Sequence, residues 1–139
     1  MSNRVERTVL IDDSDIDLFI QRRFLEVYQF SEQLIEYKSA HDALLWLTKA
    51  DEKSAPDVIF LDLNMPEMDG FSFLQSFSEL KDGIRKKVRI VVLTSSSSSQ
   101  DREKALNSSN VIQFITKPLK QADIEQLRTI VFAPSEKTS

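Results

Sequence analysis

Five short apolar runs alternate along this chain with five stretches of helical periodicity, and no other feature constrains its fold as tightly. Thr8-Val9-Leu10-Ile11, Val58-Ile59-Phe60-Leu61, residues 88–93 and Val111-Ile112-Gln113-Phe114-Ile115 are strand-sized and rich in β-branched side chains. Their apolar residues run on with little alternation, as in strands covered on both faces. Gln33-Leu34-Ile35-Glu36-Tyr37-Lys38 is mixed and reads as a half-exposed edge strand. After the first run, Ile16, Phe19, Ile20, Phe24, Val27 and Tyr28 recur at three and four behind a cap at Ser14 or Asp15, so that face is expected to cover the sheet. Ser39 and Asp42 resemble a capping box ahead of Ala43, Leu44, Trp46 and Leu47. Phe71, Phe73, Leu74, Phe77 and Leu80 mark a third helix, and Ile124, Leu127, Ile130 and Val131 a last one. The fourth, opened by the serines at 95–99, has only Ala105 and Leu106 as an apolar stripe, which predicts mobility. Such alternation calls for a parallel sheet joined by right-handed crossovers and covered on both faces. The predicted fold is an α/β three-layer sandwich of five strands and five helices, one domain over residues 8–132 between tails at 1–7 and 133–139.

At 139 residues the chain can bury a core unaided, and the lack of cysteine excludes disulfides and thiolate metal sites. Its net charge of -4 comes from scattered acids and bases, which argues against a broad nucleic-acid surface. Lys81, Arg85, Lys86 and Lys87 form a basic stretch, but it is short, lacks interleaved aromatics and reads as a solvated connection. No apolar run is long enough to span a membrane, and the first seven residues are polar, unlike a secretory signal. These features predict a soluble cytoplasmic protein with no direct DNA binding, no membrane association and no attached output domain.

Four of the five strand runs end in residues able to do chemistry: Asp12 and Asp13, Asp62, Thr94, and Lys117. In a parallel sheet those ends lie on one edge. Three carboxylates converging there repel one another unless a cation holds them ionised. Oxygen ligands alone suit Mg2+, whereas zinc finds no cysteine, and the only histidine, His41, lies away from the acid pair. Lys117 and the Thr94 hydroxyl could then engage a phosphoryl group on Asp62. Taken singly, each residue has a plainer reading: Asp12 and Asp13 as helix caps, Asp62 and Thr94 as strand-end polar groups, Lys117 as a solvated lysine, Phe114 as core. Their order along the chain is what favours the joint reading.

That ordered set resembles the response-regulator receiver family of two-component signalling over residues 8–132. The matching pieces are Asp12-Asp13, Asp62-Leu63-Asn64-Met65-Pro66-Glu67-Met68-Asp69-Gly70, Thr94 and Lys117-Pro118. The resemblance implies a flavodoxin-like strand order 2-1-3-4-5, as in the chemotaxis receiver. It implies that Asp62 is a phosphoacceptor, served by a sensor histidine kinase or phosphotransfer protein. Mg2+, with Mn2+ as a substitute, would be held by Asp13, Asp62 and the backbone carbonyl of Asn64, and by Asp12 mainly through bound water. Lys117 would contact a phosphoryl oxygen, with Pro118 in the cis form. Thr94 would move toward the phosphoryl group and Phe114 would fill the space it leaves, changing the surface of the fourth helix, fifth strand and fifth helix for a downstream protein. Asn64 and Ser96 stand where the family tunes phosphoryl lifetime.

The chain departs from the family pattern in places. Phe114 carries no hydroxyl where tyrosine is frequent, serines follow Thr94 where alanine is common, and Ser108-Ser109-Asn110 replaces a glycine-containing turn. Two other functions compete with a phosphorylation switch. A pseudo-receiver that binds without phosphorylation should lack a catalytic residue, and none is missing. A phosphohydrolase of the haloacid dehalogenase type wants an aspartate two past the nucleophile, where Asn64 stands.

Overall fold

The computed structural model describes residues 4–132. In chain order the elements are β1 (Val5–Ile11), α1 (Asp15–Val27), β2 (Ser31–Tyr37), α2 (Ala40–Lys49), β3 (Val58–Leu61), α3 (Gly70–Phe77), α4 (Asp82–Lys87), β4 (Arg89–Thr94), α5 (Ser99–Leu106), β5 (Val111–Thr116) and α6 (Gln121–Val131). All neighbouring strands pair in parallel, in the order β2-β1-β3-β4-β5. The flavodoxin-like sandwich expected from the sequence is therefore present.

Unbroken apolar strands follow from having a core on each face of the sheet. On one face Val9, Ile59, Leu61, Ile90, Val92 and Phe114 meet Ala43 and Leu47 of α2, Phe73 and Phe77 of α3, Ile84 of α4 and Ala105 of α5. On the other, Leu10, Phe60, Val91, Leu93 and Ile115 meet Leu18 and Leu25 of α1 and Ile124 and Leu127 of α6. Because successive strand residues face opposite ways, both sets must be apolar. The chain leaves β1 for β2 on one side and returns to β3 on the other, so a crevice opens at the carboxyl ends of β1 and β3.

Four expectations need correction. There are six helices among the described residues, since the basic stretch read as a loop forms α4. Ile84, only 1% exposed, anchors it, Asp82 opens it and Arg85, Lys86 and Lys87 close it, the charge order that a helix dipole favours. Second, α1 is rolled relative to its strongest apolar stripe: Leu18, Gln21 and Leu25 are buried, while Ile16, Phe19, Ile20 and Val27 are 50–72% exposed. Third, β1 begins at Val5, so residues 5–7 are not tail; the Glu6 and Arg7 amides both donate to Asp57 Oδ2, at 3.1 and 3.0 Å. The tail at 133–139 and residues 1–3 lie outside the described residues. Fourth, Val88, expected to open the fourth strand, instead caps the carboxyl end of α4.

The glycine-free turn before β5 works through Asn110. Its side-chain amide donates to the Arg85 and Val88 carbonyls at 2.6 and 3.0 Å, tying the turn to the end of α4. No left-handed residue is needed there: Gln29 and Glu67 are the only positive-φ positions among the described residues.

Gly70 is constrained by space. A Cβ there would lie 2.7 Å from the Asp62 carbonyl oxygen and 2.8 Å from Leu63 Cα, both backbone atoms that cannot swing aside. Gly70→Ala should cost about 1–3 kcal/mol by forcing α3 away from the end of β3, read as a lower urea midpoint with an unchanged slope.

Candidate functional site

Backbone hydrogen bonds bring the strand ends together. The Asp12 amide donates to the Tyr37 carbonyl and the Asp62 amide to the Ile11 carbonyl, each at 3.1 Å, and the Lys117 amide donates to the Thr94 carbonyl at 2.7 Å. Asp12, Asp13, Asp62, Thr94 and Lys117 thus share the carboxyl edge of the sheet. Asp12 and Thr94 are at most 1% exposed and Asp62 is 6% exposed, while Asp13 lies at the exposed rim. Carboxylate oxygens of Asp12, Asp13 and Asp62 all lie within 4.8 Å of one another. Such an oxygen set fits a hard divalent cation.

Lys117 carries the positive charge inside this group. Its ammonium donates to Asp12 Oδ2 at 2.8 Å, Asp17 Oδ2 at 2.7 Å and Asp62 Oδ2 at 3.4 Å. Burial alone would lower its pKa, but the hydrogen bonds to Asp12 and Asp17, with the charges of Asp62 and Asp12, hold it above the ordinary lysine value. Asp62 moves the other way for a carboxylate. Burial is the largest influence and pushes its pKa up, Lys117 pulls it down, Asp12 pushes it up, and the Asn64 amide and Thr94 hydroxyl pull it down; the net direction is up. Lys117 therefore does not fully offset the cost of the Asp62 charge.

The remaining expected residues fall around this centre. Asn64 is exposed on the following loop, and its amide donates to Asp62 Oδ1 at 3.4 Å. The Lys117–Pro118 bond is cis. Phe114 pairs with Val92, two residues before Thr94, so its ring lies on the same face as the Thr94 side chain. That ring is buried in the core, with the Arg102 guanidinium 5.9 Å from its centroid. Ser96 faces α5: its hydroxyl donates to Asp101 Oδ2 at 2.7 Å and accepts from the Ser98 amide at 3.2 Å.

Two contributors escaped the sequence reading, Asp17 and Gln21. They stand four apart on α1, and the Gln21 amide donates to Asp12 Oδ2 at 3.1 Å from a buried position. This contact gives a polar residue a place on the buried face of α1. The signal was the four-residue spacing of Asp13, Asp17 and Gln21, which places polar groups along one side of the helix start.

An acid that is only partly compensated predicts a stabilising neutral variant. Without divalent cations, Asp62→Asn should raise folding stability at pH 7, because the charged carboxylate is disfavoured in the folded site. A carboxyl whose folded pKa is raised contributes stability that is full below the ordinary carboxylate range and is lost as pH rises through the folded value. The advantage of the variant should therefore shrink on acidification, which urea unfolding in EDTA at pH 7 and pH 4 would measure.

The chain matches the family model described as response regulator receiver domain over residues 8–129. Two-component response regulator ORR1 of rice (Oryza sativa subsp. japonica) is 30% identical over 128 residues, which cover 89% of this chain and 54% of that protein. This chain thus spans about half the length of that relative. A response regulator receiver protein from Dyadobacter fermentans superposes with a TM-score of 0.83 at 28% identity, over 93% of this chain and 99% of the other. The receiver domain of the Pseudomonas aeruginosa sensor histidine kinase PA1611, solved with a magnesium ion coordinated in its active site cleft, shares the fold at TM-score 0.73 and 20% identity, covering 94% and 99% of the two chains. With the family match running through every strand of the sheet, this chain belongs to the response regulator receiver domain family.

Proposed function

We propose that this receiver is a phosphorylation switch in which Asp62 accepts a phosphoryl group from the histidine of a sensor kinase or phosphotransfer protein. One juxtaposition supports it: the buried Asp62 carboxylate lies among Asp12, Asp13, Thr94 and Lys117 at a crevice open to a partner. Asp12, Asp13, Asp62 and the Asn64 carbonyl would hold Mg2+, or Mn2+ in its place. The cation, when bound, screens the carboxylates and draws charge from the transferring group. An Asp62 oxygen forms the new bond to phosphorus as the bond from phosphorus to the imidazole nitrogen breaks. The imidazole leaves with the electron pair and is protonated from solvent. Lys117 and the Thr94 hydroxyl meet the phosphoryl oxygens, and the Phe114 ring, already buried on the face it shares with Thr94, fills the space that Thr94 leaves. The surface expected to change for the downstream partner is then that of α5, β5 and α6. Turnover beyond slow self-phosphorylation and dephosphorylation is not part of this role, and its setting is the cytoplasm. Among the described residues, no helix is long and apolar enough to cross a membrane.

The rolled helix α1 supports a docking place for the phosphoryl donor. Its Ile16, Phe19 and Ile20 are exposed, and Ile20 lines the same hollow as Lys117 and Pro118. An apolar helix carrying the donor histidine would cover them while presenting its imidazole to Asp62.

Incubation with Mg2+ and acetyl phosphate should add one phosphoryl mass to the protein and none to Asp62→Asn. No gain in the wild type, or an equal gain in the variant, would contradict the assignment and return the pseudo-receiver reading. Phe19→Ser and Ile20→Ser should keep the acetyl phosphate reaction within about twofold and slow transfer from a phosphorylated donor by about tenfold or more, the scale of an apolar interface anchor.

A further inference from the structure

Lys117 has three N–H donors, and each has a carboxylate partner in the structure. The shortest of the three contacts, 2.7 Å, goes to Asp17, which neither a strand end nor the acid cluster supplies. Asp17 sits in the first turn of α1, where its backbone amide donates to the Ser14 hydroxyl at 3.2 Å and its carboxylate reaches across the crevice. A cation held by Asp12, Asp13 and Asp62 would neutralise those acids and loosen their hold on the ammonium. Asp17 stands outside that set, so its attraction for Lys117 persists.

We propose that Asp17 is a positioning residue that holds Lys117 back from the phosphoryl group, so that Lys117 trades its Asp17 contact for a phosphoryl oxygen when Asp62 is modified. This rests on the phosphoacceptor role of Asp62. Asp17 thereby weakens the phosphoryl-bound state relative to the unmodified one and sets how far the switch rests in its unmodified form. The Asp17 side chain is 37% exposed, so solvent limits the effect to a severalfold change rather than orders of magnitude. Asp15 supplies the control. It lies in the same turn with the same charge, is 75% exposed, and pairs instead with Lys38 at 2.6 Å.

The test measures beryllofluoride binding to the full chain by calorimetry in Mg2+, using Asp17→Asn and Asp15→Asn. Asp17→Asn should bind about fivefold more tightly than wild type, the size of one partly exposed charge-assisted contact, and Asp15→Asn should stay within about twofold. A second reading needs no ligand: the ζ-ammonium resonance of Lys117 in Mg2+-free protein should exchange faster with water in Asp17→Asn and be unchanged in Asp15→Asn. Unchanged or weaker binding in Asp17→Asn, or an equal gain in Asp15→Asn, would overturn the proposal while leaving the phosphoacceptor role intact. A wild type that takes up no beryllofluoride would overturn both.

Discussion

Lys117 sets a single ammonium against the carboxylates of Asp12, Asp17 and Asp62, with Asp13 at the rim, so the carboxyl edge of this sheet is short of positive charge. The fold holds that imbalance in place. Each acid or base hangs from a strand end or a first helical turn that is fixed by backbone hydrogen bonds and by a core on each face. The side chains therefore cannot relax apart without disturbing the sheet. Under the proposed function, the ligands that redistribute this charge are a divalent cation among the acids and an anionic phosphoryl group beside the lysine.

The site also touches the buried face of α1. Two faces of this helix carry apolar residues, and the one turned inward includes Gln21, whose amide bonds to Asp12. Gln21 adds an amide hydrogen bond to a carboxylate that Lys117 and the Ser14 amide also meet, and Leu18 and Leu25 fill the rest of that face. Ile16, Phe19 and Ile20 face solvent on the other side of the helix.

Strand positions and the residues at their ends were legible in the sequence because buried parallel strands leave unbroken apolar runs, and because the polar residue closing each run is abrupt. The strand order was legible only through family resemblance, since periodicity carries no information about neighbours. What escaped detection depended on tertiary partners. The buried face of α1 includes Gln21, which bonds to Asp12 nine residues away, and periodicity weighs a glutamine only as polar. The six-residue α4 is too short for a periodic signal and is held by Ile84 in the core. Asp17 reads as an ordinary first-turn acid until Lys117, one hundred residues later, is placed beside it.

The charge deficit itself is open to direct measurement. Mg2+ titrated into the unphosphorylated protein, followed by backbone amide shifts and by calorimetry, should bind at one site, move the amides of Asp13, Asp62 and Asn64 most, and be lost in Asp13→Asn. Shifts centred elsewhere, or binding undiminished in Asp13→Asn, would contradict the account.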